Sequence, residues 1–201
     1  MTKVLIAYDN DNQSILHDFY ESCADEAKQI CVNHNINYIS ISPPNINEQS
    51  VIGMMTEHQL CVIAAHGDND GIYNEKDSDL VSTHTTNYIF NGKGFYSIAC
   101  SCAQNLCPHL QKLGLLLFVG YSDTFNVRGD RDPFVISAMS GLNSILSGDS
   151  IGTAKQKMLS AYDEQISILD NTDPIAAIEM VHNKERLVFA GDDNISIKDL
   201  R

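Results

Sequence analysis

The sequence predicts a doubly wound α/β fold with a mostly parallel sheet of about six strands. Three observations carry this expectation. Short apolar runs recur along the chain and are near-continuous rather than alternating, as strands read when a parallel sheet is covered on both faces. Segments with apolar residues at three- and four-residue spacing separate them, which is helical periodicity. No repeat, low-complexity tract or linker interrupts the alternation, so residues 1–201 are expected to form a single domain.

The elements follow in order. "KVLIAY" (Lys3 to Tyr8) is a buried strand closed by the turn residues "DNDN". Ser14 is placed to cap a helix whose apolar face is Ile15, Phe19, Cys23, Ala27, Ile30 and His34. "INYISIS" (Ile36 to Ser42) is a second strand, ended by Pro43-Pro44, and a short helix is expected near Glu48 to Met55. "QLCVIAAH" is the third strand. Asp68 to Gly94 is polar and rich in turn residues, with β-prone pieces "GIY" and "LVST", and reads as a surface excursion with one or two hairpins. "FYSIAC" is the fourth main strand, Ala103 to Leu113 a short helix closed by Gly114, and "LLLFVGYS" the fifth strand. Pro133 to Leu146 is a helix. Asp149 or Ser150 caps another, with Ile151, Ala154, Met158, Ala161 and Ile168 on one face. Arg186 to Asp192 is a final strand, and "NISIKDL" a short tail.

Composition narrows the function. Hydrophobic residues make up 43% of the chain and charged residues 19%, a globular balance. The net charge of −13 and the lack of any basic run argue against phosphate-mediated nucleic-acid binding. No apolar run approaches the ~20 residues of a membrane helix, so no membrane partner is expected. The first residues lack the shape of a secretory signal, and the expected location is the cytoplasm. There the six cysteines would be reduced. Cys23, Cys31 and Cys61 lie in apolar patterns and read as core filler.

Two strands end on reactive side chains: "VIAAHGD" stops at His66-Gly67 and "SIACSCA" at Cys100. In open parallel sheets ligands bind beyond the carboxyl ends of the strands, and neighbouring strands lie ~5 Å apart. A thiol there is a nucleophile, and an imidazole beside it can take its proton or protonate a leaving amine. The backbone N–H groups of Gly67 and Cys100 are candidates for binding a developing oxyanion. The helix expected after Cys100 would point its positive end at the thiol and lower its pKa. Cys102, on a continuing strand, would share the face of Cys100. Cys100, Cys102, Cys107 and His109 are also soft metal ligands, but lack the paired spacing of a zinc site; zinc is the lesser reading, and no cofactor is implied.

An apolar strand ending in His-Gly, followed by one ending in Ala-Cys, resembles the histidine and cysteine motifs of the caspase-like cysteine peptidases. That group includes caspases, gingipains, separase and bacterial CHAT-type peptidases. Ser101-Cys102-Ala103 stands where CHAT-type members carry an acidic-Ser-Gly continuation. "LGLLLFVGYSDTF" and "LVFAGDDNISI" resemble later strands of the CHAT, separase and gingipain members. The resemblance implies a caspase–haemoglobinase-like three-layer α/β/α sandwich, with His66 as general base or acid and Cys100 as nucleophile. It favours Cys100 over Cys102. It also sets Asp123 where related members carry a pocket aspartate, which implies a polypeptide substrate cut after Arg or Lys. Asp68 and Asp70, beside His66, are further candidates for lining the cleft, against an ordinary role in turns. Arg128 and Arg131, in "NVRGDRD", point the other way, towards an acidic residue before the cut bond.

Asp68 to Gly94 and Ser122 to Pro133 are the expected substrate-contacting, movable segments. Activation by a protein partner, a ligand or self-cleavage is expected of so compact a peptidase. The competing reading is a caspase-like module that interacts or regulates without catalysis. A flavodoxin-type nucleotide domain is disfavoured because no glycine-rich loop follows the first strand. A serine hydrolase is disfavoured because G-x-S-x-G is missing.

Overall fold

In chain order the elements are β1 (Lys3–Tyr8), α1 (His17–Asn33), β2 (Asn37–Ile41), α2 (Glu48–Met55), β3 (Leu60–Ala64), β4 (His66–Gly67), β5 (Gly71–Tyr73) and β6 (Asp79–Ser82). Then come β7 (Gly94–Ile98), α3 (Leu106–Lys112), β8 (Leu117–Tyr121), α4 (Asp132–Ser147), α5 (Ile151–Thr172), α6 (Pro174–Arg186) and β9 (Leu187–Ala190). The computed structural model describes residues 2–86 and 88–201.

The main sheet has the order β2-β1-β3-β7-β8-β9. Its first five strands are parallel, and β9 runs antiparallel to β8. The chain steps outward from β1 to β2, then returns to place β3 on the other side of β1, so the strand order switches between β1 and β3. A crevice opens at such a point, beyond the carboxyl ends of the strands.

Alternate side chains serve two cores, because successive residues of a strand face opposite ways. Val4, Ile6, Val62, Tyr96 and Val119 pack with α1, α4, α5 and α6 on one face. Leu5, Cys61, Ile63, Phe95 and Phe118 pack with α2, α3 and the hairpin of β5 and β6 on the other. Burying each such side chain contributes ~1.5–3 kcal/mol. The result is a three-layer α/β/α sandwich, as the sequence predicts. Gly141 lets α4 lie close, since a Cβ there would fall 2.7 Å from Met158 Sδ and 2.9 Å from Tyr96 Oη.

Several local expectations are corrected. Ser14 does not cap α1, whose first turn follows Leu16 without a side-chain cap, and Ile15 is 89% exposed. The buried face of α5 is Ile151, Ala154, Met158, Tyr162 and Leu169, not Ala161 and Ile168, because the stripe follows the 3.6-residue pitch. The sequence reading placed no helix between Ile168 and Arg186, yet α6 fills most of that stretch. It begins on Asp173, whose carboxylate accepts the Ala176 N–H at 3.1 Å, with Pro174 at its first position. α3 starts at Leu106, later than expected. The hairpin in the Asp68 to Gly94 excursion is present as β5 and β6, joined by β4 into a second, antiparallel sheet.

Candidate active site

β3 and β7 pair with Ala64 beside Ile98, and the Ala65 N–H donates to the Ile98 carbonyl at 3.3 Å. His66 and Cys100 each follow two residues after that last pair, at the carboxyl ends of neighbouring strands. Gly67 makes the approach possible. A Cβ on it would lie 2.8 Å from the Cys100 carbonyl oxygen, 2.9 Å from Ala99 Cβ and 3.3 Å from the Cys100 nitrogen. Any larger residue would push the two chain ends apart.

Groups that the sequence reading did not place at this site hold the His66 ring. Its Nε2 lies 2.8 Å from Glu75 Oε2 and 2.9 Å from Ser14 Oγ. A carboxylate accepts, so Nε2 carries a proton in this network. Tyr73 stacks on the ring at 6.0 Å between centroids, and Tyr20 meets it edge-on at 5.5 Å. Glu75 is itself held: its N–H donates to Oδ2 of Asp9, a fully buried carboxylate just past β1. Ser14 and Glu75 lie in polar loops without periodicity, where only closeness to the strand ends could have marked them.

Cys100 is partly exposed, whereas the other five cysteines are buried. Burial pushes its thiol up, the Phe125 N–H pulls it down by donating to Sγ at 3.3 Å, and the Asp123 carboxylate pushes it up again. The expected lowering by a following helix does not occur, because α3 begins six residues later and helix-dipole effects fade within a turn. Cys102 does not share the face of Cys100. The strand ends at Ile98, Ser101 takes a left-handed φ of 54°, and the chain turns inward. Cys102 Sγ is therefore fully buried, 3.0 Å from Ser97 Oγ, with its thiol pushed up to about 11 by burial.

The remaining candidates are placed as follows. Asp123 is half-exposed, near Cys100, and 3.7 Å from Arg186 Nε; its carbonyl accepts the Ser101 N–H at 2.9 Å. Asp68 Oδ1 accepts the N–H groups of Asp70 and Gly71, which closes a turn. Asp70 Oδ1 accepts from Asn105 Nδ2. Both nonetheless line a cavity of about 200 Å³ with Tyr73, Asp79, Ser82 and His84. A second cavity of about 140 Å³, on the Glu75 side, is lined by His66, Tyr73, Asn74, Glu75 and Asp77. Tyr73 lines both. Arg131 is tied to Asp18 at 2.6 Å, and Arg128 is exposed. His109 Nε2–H donates to the Thr85 carbonyl. Among the described residues no three His, Cys, Asp or Glu side chains are arranged to hold a metal ion, and no helix is long and apolar enough to cross a membrane.

Among solved structures, the chain is similar to the Arg-specific cysteine proteinase gingipain R (RgpB). The TM-score is 0.70 at 11% identity, over 98% of this chain and 48% of that one. The complex of Porphyromonas gingivalis RgpB pro- and mature domains gives 0.62 at 11% identity, over 99% and 49%. The fold is caspase-like. This chain thus spans about half the length of the gingipain chains it matches. No family model and no curated protein matches the sequence, so the likeness rests on the caspase-like fold rather than on shared residues.

Proposed function

We propose that the chain is a cysteine endopeptidase, with Cys100 as nucleophile and His66 as general base and acid. The observation that carries this reading is that Tyr20 and Tyr73, which flank the His66 ring held by Glu75 and Ser14, also stand near the partly exposed Cys100. The likeness to a cysteine proteinase agrees with it. In this reading His66 Nδ1 accepts the Sγ proton as the thiolate attacks the scissile carbonyl. The N–H groups of Gly67 and Cys100 bind the oxyanion, and the imidazolium protonates the departing amine. Water, activated by the same Nδ1, then hydrolyses the thioester.

A basic residue before the cut bond fits best. Asp68, Asp70 and Asp79 share the cavity beside Tyr73, Asp123 stands near the thiol, and Arg131 is engaged elsewhere. Six unpaired cysteines suit a reducing cytoplasm. The thiol raised by burial suits an enzyme switched on by a partner, a ligand or self-cleavage. It equally favours the second reading, a non-catalytic caspase-like module.

A fluorogenic peptide panel with Arg, Lys, Asp or Asn before the cut bond tests this on the wild type, Cys100→Ala and Cys102→Ala. Cleavage after Arg or Lys that is lost in Cys100→Ala and retained in Cys102→Ala is the expected result. Activity surviving Cys100→Ala would overturn the mechanism, and silence across the panel would favour the non-catalytic module.

A further inference from the structure

The segment after β8 cradles Cys100 on one side. The Ser101 N–H donates to the Asp123 carbonyl at 2.9 Å, Gln104 Nε2 to the Ser122 carbonyl at 2.8 Å, and the Phe125 N–H to Cys100 Sγ at 3.3 Å. The same segment is gripped from behind by the last turns of α6. The Ser122 N–H donates to the Arg186 carbonyl at 2.8 Å, and His182 Nε2–H to the Thr124 carbonyl at 3.1 Å. The strongest grip is Asn183. Its Oδ1 accepts the Asn126 N–H at 2.8 Å, and its Nδ2 donates to the Asn126 carbonyl at 2.7 Å.

Asn183 is fully buried. A side-chain amide that both accepts from and donates to one residue's backbone holds that residue much as a strand neighbour would. A buried polar side chain is costly unless its hydrogen bonds are made, so an aspartate or an apolar residue cannot replace it without leaving a group unpaired. The loop from Ser122 to Arg131 has no helix or strand of its own, and Asn126 adjoins the residue whose N–H reaches the thiol.

We propose that Asn183 is a positioning residue for Cys100: by clamping the Asn126 backbone it holds the neighbouring Phe125 N–H on Sγ. The inference rests on reading Cys100 as the reactive thiol, yet its test does not require peptidase activity. A hydrogen bond donated to sulfur favours the thiolate over the thiol, so releasing the clamp makes the thiolate harder to form.

The test is the pH dependence of Cys100 alkylation by iodoacetamide, followed by mass spectrometry on the folded full chain. The expected result for Asn183→Ala is an upward shift of the midpoint by about one pH unit, with up to about tenfold slower alkylation near neutrality. Asn183→Ser removes the two-point clamp without burying a charge and keeps a small polar group at the site; it is expected to shift the midpoint in the same upward direction, and stands in should the alanine variant fail to fold. A purely structural role predicts a lower melting temperature with an unchanged alkylation profile, and that result in either folded variant would overturn the proposal. Because alkylation reads the thiol directly, a failed peptide panel leaves this outcome unaffected.

Discussion

The Nε2 of His66 lies 2.8 Å from Oε2 of Glu75, so the ring is oriented from the turn between β5 and β6 rather than by the strand that carries it. Glu75→Ala is expected to release the tautomer. Nitrogen chemical shifts should show the Nε2-protonated form in the wild type and a mixture in the variant. For the proposed peptidase, kcat should fall roughly tenfold or more while KM changes little, since the contact acts through the base rather than on substrate.

Gly67 has no room for a side chain. Gly67→Ala sets a methyl against the Cys100 carbonyl and Ala99 Cβ, neither of which is the free end of a flexible side chain. It is expected to cost about 1–3 kcal/mol in chemical denaturation and to abolish peptide cleavage, because the backbone on both sides of the proposed oxyanion site must shift.

The thiol of Cys100 is raised by burial, which lowers the thiolate fraction at any given pH below its pKa. Alkylation of wild-type Cys100 should therefore be slow at pH 7 and climb through a range above that of an ordinary thiol, falling again as pH is lowered. Cys102, raised to about 11 and fully buried, should stay unmodified across the same range. Fast alkylation of Cys100 at pH 6 would contradict this electrostatic picture.

Two buried hydroxyls should respond oppositely to removal. Ser137 Oγ, within α4, is buried with no hydrogen-bond partner among the described residues, and Ser137→Ala should stabilise the protein by about 1 kcal/mol. Tyr162 Oη bonds Tyr121 Oη at 2.7 Å in the core, so Tyr162→Phe strands the Tyr121 hydroxyl and should cost about 1–3 kcal/mol. Thermal and urea unfolding of both variants checks the two signs.

Much of the frame is legible in the sequence because it is written in apolar runs. "LCVIA" and "GFYSI" are buried on both faces, so they read as parallel strands, and His66 and Cys100 are legible because each breaks such a run at its carboxyl end. The supporting residues are not. Ser14, Glu75 and Asn183 are polar and belong to no apolar pattern, and only tertiary contact gives them a role. Ser14 carried a false signal, since a serine before a helical pattern is ordinarily its cap. α6 is hard to read although Asp173-Pro174 marks its start, because Asp173 alone separates it from α5. The inward turn of Cys102 depends on the left-handed Ser101, which local propensity disfavours outside glycine, asparagine and aspartate.

The late position of Asn183 bears on how the chain is made. A domain's earlier segments leave the ribosome first, so β3, β7 and both proposed catalytic residues are available for pairing before α6 has been synthesised. The loop behind Cys100 then lacks its anchor until α6 emerges. A nascent chain thus carries the thiol without its full support until Asn183 has left the ribosome.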